Sequence, residues 1–349
     1  MSHLNTILPS TGRNIFIDVA RLLAMLFIII GHTNIRTPVQ LGPSPALNIL
    51  CLATLSGHVS FFFFLAGYFA KSVPGMLNWK RARDIFVSLL FWCFIGYFWF
   101  GVLHQLESGN PVSVKALINS QVFGILGAWD SVGTPGSWDC WFLKVLIPLV
   151  LVSPMLMRLP VFCLLGIVAT AVILGYAGYP GGGLPYVMHT ESVCALAYYV
   201  FGIGLRRYVT LGQLEAFVGR VYYWFIPLTI VLLVLHVFWY QIFNRESIVT
   251  VLWSIVYVLS LSKLLTVVVP NTANWFASFG PGVFFIYMVQ EMLVIQCRWY
   301  FAEHPIHRHA YVLVPFAIFA VLMCGYWLIR RYLPWACGLL CLQPVRKKN

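Results

Sequence analysis

Long apolar runs separated by short polar breaks organise this chain. About ten runs approach spanning length, at residues 15 to 31, 46 to 69, 85 to 103, 143 to 157, 161 to 177, 193 to 205, 223 to 240, 248 to 268, 280 to 297 and 311 to 329. Hydrocarbon offers an unpaired backbone amide no partner, so a run of roughly 20 apolar residues crosses it as a helix. Several runs fall short of that length, which leaves their ends loosely defined. The pattern predicts an all-α polytopic membrane protein, with residues 1–349 forming one bundle of about ten transmembrane helices. No internal repeat or soluble domain interrupts it. The longest connection, His104 to Cys140, carries Glu107, Asp130 and a Gly133-Thr134-Pro135-Gly136 turn, and a connection of that length is commonly a lid or substrate platform.

Composition narrows the class further. Hydrophobic residues make up 60% of the chain and charged ones 9%, with a mean hydropathy of +0.85, which excludes a soluble globular domain. Sorting Lys and Arg by connection gives the orientation. Arg13, Lys71, Lys80, Arg81, Arg83, Arg158, Arg206, Arg207, Arg220, Lys263, Arg330, Arg331, Arg346, Lys347 and Lys348 fall on one side. Arg36, Lys115, Arg245, Arg298 and Arg308 fall on the other. Positive residues are retained in the cytoplasm, so both termini are expected there and the His104 to Cys140 connection outside. This bias and anionic lipid account for the net charge of +12 without a nucleic-acid partner. The first run carries Arg21 and ends in Gly31-His32-Thr33, so it is expected to stay as a helix and not to be cleaved as a signal peptide. Nine cysteines, an odd number without a C-x-x-C, read as small core residues.

Candidate chemistry begins in that first run. Asp18, Arg21 and His32 are ionisable groups inside an apolar segment, where their cost makes a functional site the default hypothesis. Eleven helical residues are about three turns, so Arg21 and His32 share a face on the order of 16 Å apart, with Asp18 nearly in line. The ninth run adds Glu291, which reads either as a base or as the partner of a buried arginine. His58 opens the run Val59 to Phe69, and Asn78-Trp79-Lys80-Arg81-Ala82-Arg83 forms a basic cluster that suits either phosphate groups or topology anchoring. His304, His307 and His309 have no carboxylate or thiolate cluster nearby, so no metal is expected.

Taken in order, these pieces resemble the acyltransferase-3 family of integral-membrane O-acyltransferases. Asp18, Arg21 and His32 match its opening Asp-x-x-Arg, ten residues and His. His58 to Tyr68 is similar to its second-helix His-Met-Pro-Leu-Phe-Phe-Phe-Leu-Ser-Gly-Tyr, while Trp141-Phe142-Leu143, Phe201-Gly202-Ile203-Gly204 and Phe285-Ile286-Tyr287 follow its later segments. Three positions depart from the pattern. Ala66 stands for Ser, Gln290 for the His that commonly follows the Tyr, and Lys80 for the first Arg of Arg-x-x-Arg, which removes one bidentate phosphate fork.

The resemblance implies transfer of an acyl group, usually acetyl from cytoplasmic acetyl-CoA, to a hydroxyl of a cell-envelope or secreted polysaccharide or a lipid-linked glycan. It implies a bacterial inner membrane as the location. His32 would take the alcohol's proton or carry the acyl group, Arg21 would orient the donor or neutralise developing charge, and Asp18 would hold Arg21. Lys80, Arg81 and Arg83 would bind the phosphates of coenzyme A, and His58, Trp141, Tyr287 and Glu291 would contact substrate. The rival reading is a glycan or glycolipid exporter whose intramembrane charges couple protons. The inverted repeat that would favour it is not visible in the sequence.

Overall fold

The computed structural model describes residues 14–38, 41, 44–54, 58–99, 140–176, 190–239 and 248–340. Among these the regular elements are helices, with no strand. In chain order they are α1 (Ile15–Ile35), α2 (Pro45–Ala53), α3 (His58–Tyr68), α4 (Trp79–Tyr97), α5 (Trp141–Leu156), α6 (Val161–Tyr176), α7 (Thr190–Tyr208), α8 (Leu211–Trp239), α9 (Ile248–Val268), α10 (Pro270–Ala277), α11 (Val283–Glu303), α12 (Val314–Tyr332) and the short α13 (Cys337–Leu340). Among the described residues five segments are long and apolar enough to cross a membrane: Ile15–Ile35, Leu211–Leu235, Thr250–Val268, Pro270–Glu303 and His309–Tyr332. Val59–Tyr68, Trp141–Leu156 and Val161–Leu174 are shorter apolar helices. Most of the connection at His104 to Cys140, residues 178–183 and the C-terminal Arg346 to Lys348 lie outside the described residues.

Two sequence expectations change. The run at 46 to 69 holds two helices, α2 and α3, and residues 55–57 between them lie outside the described residues. Ser44 caps α2, its hydroxyl accepting from Leu47 N–H at 3.3 Å with Pro45 in the first turn, and Thr54 closes the helix by donating to the Cys51 carbonyl at 2.7 Å. The run at 223 to 240 lies within a 29-residue helix that begins at Leu211. Its start is a capping box: Thr210 N–H donates to Gln213 Oε1 at 2.8 Å and Gln213 N–H to Thr210 Oγ1 at 3.3 Å.

The chain divides into two compact units, residues 1–58 with 210–337 and residues 59–209 with 338–349. In the first, α1 is the central element and packs against α2, α9, α10, α11 and α12. A helix apolar all round has to be buried all round. Val19, Ala20, Leu22, Ala24, Met25 and Ile29 accordingly have no exposed surface. Asn14 caps α1 by accepting from Ile17 N–H at 3.0 Å, and Ser262 of α9 donates to the Phe16 carbonyl. Two glycines before α11 set how closely chains approach. A Cβ on Gly282 would lie 2.4 Å from the Tyr326 ring, and one on Gly280 would lie 2.8 Å from the Asp18 carboxyl oxygen.

In the second unit α4 pairs with α5, and α7 packs on α5 and α6. α3 and α7 cross at backbone distance, because a Cβ on Gly67 would stand 1.9 Å from the Tyr199 carbonyl oxygen and one on Gly202 2.3 Å from that of Phe64. Small residues on both helices are what permit such a crossing. Gly67→Leu is therefore expected to force the helices apart and lower stability by about 1–3 kcal/mol or more. Thermal unfolding in detergent checks this, and an unchanged midpoint counts against the close crossing.

Candidate functional site

The face of α1 that carries Arg21 and His32 divides into two clusters about three turns apart. At the first, Arg21 Nη1 lies 3.4 Å from Asp18 Oδ1, one turn away on the same helix. Asp18 is buried beside Gly280, at the turn that leads into α11, where a carboxylate is favoured by the helix dipole. Arg21 keeps 35% of its side-chain surface. The carboxylate holds one of its terminal nitrogens.

At the second cluster, α11 delivers two consecutive residues to His32. Glu291 Oε2 lies 2.8 Å from His32 Nδ1, and its other oxygen, Oε1, accepts from Arg36 Nη2 at 2.7 Å and Nε at 3.0 Å. Glu291 is 5% exposed, and Gln290 is wholly buried with its side-chain amide 2.7 Å from the same Nδ1. A ring nitrogen cannot accept from an amide N–H and donate to a carboxylate together. Glu291, ionised opposite the Arg36 guanidinium, only accepts, so Nδ1 carries the proton. The consistent orientation turns the Gln290 amide oxygen toward Nδ1–H, a choice the hydrogen-bond network decides. In the neutral imidazole Nε2 is then the nitrogen with a lone pair, and it makes no hydrogen bond among the described residues. His32 retains 27% of its side-chain surface. Tyr311 braces this end of α1, its hydroxyl donating to the Thr33 carbonyl at 3.2 Å and the Arg36 carbonyl at 3.4 Å.

Of the two sequence readings of Glu291, the geometry matches the partner of an arginine, and its second oxygen lies 2.8 Å from His32 Nδ1. Arg36 is the residue that sequence reasoning missed, having counted it only as a positive charge in a connection. Its spacing was the available signal, since Arg36 follows His32 by four residues and so shares its face. Gln290, a departure from the family pattern in sequence, touches the central imidazole.

The other sequence candidates are placed as follows. Tyr287 is buried on α11, one turn before Glu291. His58 starts α3, and its side chain lies outside the described residues. In the second unit Trp141 begins α5, its ring centroid 6.0 Å from that of Phe63. Lys80, Arg81 and Arg83 are exposed in the first turns of α4, whose cap is Asn78, accepting from Arg81 N–H at 3.3 Å. Arg83 also lies 3.4 Å from Asp84. Cations at a helix N-terminus add to the positive end of its dipole, so this end of α4 favours an anion. Arg158 and Arg207 of the same unit are committed to backbone: Arg158 donates to the Gly75 carbonyl at 2.8 Å and Arg207 to those of Leu156, Met157 and Leu159. His304 and His307 stack with Tyr300, and among the described residues no group of three or more His, Cys, Asp or Glu side chains is placed to hold a metal.

A comparison with known families decides what this arrangement belongs to. The acyltransferase-3 family model, described as an acyltransferase domain, matches residues 14–331. The chain belongs to the acyltransferase-3 family. The match runs from the N-cap of α1 to the last turn of α12, so it takes in both clusters on α1, the basic turns of α4 and the Glu291 segment of α11. No curated protein and no solved structure matches the chain. Family membership and the apolar helices make it an integral-membrane acyltransferase.

Proposed function

We propose that this acyltransferase moves an acetyl group from cytoplasmic acetyl-CoA to a hydroxyl of a cell-envelope or secreted polysaccharide or a lipid-linked glycan, in a bacterial inner membrane. About ten spans with both termini cytoplasmic complete the reading. The observation that carries it is the order Arg36, Glu291, His32, with Arg36 donating to one carboxylate oxygen and His32 Nδ1 2.8 Å from the other, which leaves Nε2 of a partly accessible imidazole as the acceptor. An alcohol is a weak nucleophile at neutral pH, and a positioned imidazole is the ordinary remedy. Nε2 takes the hydroxyl proton as the alcohol oxygen attacks the thioester carbonyl carbon. The carbon–sulfur bond then breaks, and the same proton passes from Nε2 to the departing thiolate. Glu291 holds the ring and offsets the imidazolium that forms in between.

Arg21, three turns along α1, is too far to touch the same carbonyl as His32, so its role is to hold the donor. Lys80, Arg81 and Arg83 bind the donor's phosphates. Trp141, Tyr287 and His58 remain contacts for substrate. The exporter reading gains nothing from Glu291, whose two oxygens are already occupied by Arg36 and His32.

Comparing envelope glycans by mass spectrometry with and without the gene tests the function, the expected result being a loss of acyl mass that the intact gene restores. Unchanged glycans refute the acceptor class. Neutralising Lys80, Arg81 and Arg83 together tests the donor site. Each charged hydrogen bond contributes about 1.5–3 kcal/mol, so the KM for donor is expected to rise at least about tenfold. The KM for acceptor should stay constant. Equal effects on both substrates would return the cluster to topology anchoring.

A further inference from the structure

Acyl transfer makes no use of a thiol pair in the second unit. Cys93, near the end of α4, and Cys140, the N-cap residue of α5, are 4% and 1% exposed and hydrogen-bonded to each other. Lys144, one turn into α5, lies within electrostatic reach of both sulfurs. The helix register places them together independently. Asn78 N–H donates to the Leu151 carbonyl at 2.8 Å, which ties the start of α4 to the latter half of α5 in an antiparallel pair. From that tie, fifteen residues of α4 lead to Cys93 and eleven of α5 lead back to Cys140, about 22 and 16 Å at 1.5 Å per residue. Both residues therefore stand toward the same end of the pair, about one helical turn apart in level, opposite Lys80, Arg81 and Arg83.

We propose that Cys93 and Cys140 are joined by a disulfide in the mature protein, made by thiol–disulfide exchange at the extracytoplasmic end of α4 and α5. The proposal rests on the orientation expected from the distribution of Lys and Arg, and it is independent of the acyl-transfer reading. Placing the basic turns of α4 in the cytoplasm puts the opposite end of the helix pair in the compartment where disulfides form and persist. Exchange needs an oxidant of the protein-disulfide class. A thiolate at one cysteine attacks the oxidant's disulfide to give a mixed disulfide, and the thiolate of the other displaces the oxidant. One sulfur–sulfur bond forms in the protein and one breaks in the oxidant, which leaves as a dithiol with both protons. Lys144 places a positive charge beside the sulfur that attacks. The bond sets the two sulfurs about 2.05 Å apart. It closes a loop of sequence that contains the longest connection, His104 to Cys140.

The test uses the full chain from cells quenched in acid. Free thiols are alkylated under denaturing conditions, the protein is reduced, and newly exposed thiols receive a second alkyl group of different mass. Cys93 and Cys140 are expected to carry the second label, and a non-reduced digest to contain their linked peptide. Both residues carrying the first label overturns the proposal. Cys93→Ala should move Cys140 to the first label, and Cys140→Ala should do the same for Cys93. Reductant should lower the unfolding midpoint of the native protein and leave that of the double variant unchanged. A midpoint insensitive to reductant in both also overturns the proposal. Sidedness is read separately with a membrane-impermeant thiol reagent on intact cells carrying Ser137→Cys. Labelling confirms the compartment, and labelling only after permeabilisation overturns the proposed route.

Discussion

His32→Ala is expected to abolish acyl transfer, with a fall of about 10²–10⁴-fold for the loss of a positioned general base. The protein should still insert and accumulate, because His32 is only partly buried and its removal leaves Glu291 paired with Arg36. The measurement is product formation at matched protein level, by glycan mass spectrometry in cells and by donor consumption in detergent. Undiminished product with wild-type amounts of protein removes His32 from the chemistry. The substitution takes away Nε2 while sparing the ion pair behind it, so a loss of activity reports on the imidazole and not on folding.

The ion pair itself should give the second large effect, divided between stability and rate. Arg36→Leu leaves the Glu291 carboxylate buried without its guanidinium, a change that typically costs about 3–5 kcal/mol. Glu291→Gln preserves shape but removes the negative charge that stabilises the imidazolium, and activity is expected to fall by about 10²–10⁴-fold. Combining the two should return most of the stability lost in Arg36→Leu, since no charge is then stranded, while activity stays low. Thermal unfolding in detergent and initial rates on the same preparations read the two effects. A double variant that regains activity would make Glu291 a purely structural residue, and an Arg36→Leu protein as stable as the parent would deny that the carboxylate is charged.

Part of this site was legible from the sequence. Asp18, Arg21 and His32 stand out because ionisable residues in an apolar run are costly, and helical spacing alone puts them on one face. The pairing of Arg36 with Glu291 was not legible, because it joins positions 255 residues apart. Only packing of α11 on α1 brings them together. Apolar content also reads poorly where a helix begins in polar sequence. The capping box at Thr210 to Gln213 was present in the residues, yet the run was expected to start at 223, since hydropathy weighs burial and is blind to hydrogen-bonded ends. The same blindness merged α2 with α3, although Thr54 closes α2 by donating to the Cys51 carbonyl.

The guanidinium behind Glu291 has a consequence for charge during the reaction. With neutral His32, the +1 of Arg36 and the −1 of Glu291 sum to zero, so the resting site brings no net charge into a low-dielectric interior. When Nε2 takes the hydroxyl proton, the new imidazolium appears together with the new oxyanion of the tetrahedral intermediate, and the sum is again zero. A histidine and carboxylate without the arginine would start at −1 and repel the forming oxyanion across a medium that screens poorly. On the proposed chemistry, Arg36 therefore allows attack, collapse and thiolate departure to proceed as displacements of charge inside a neutral cluster, with no ion drawn from either aqueous face.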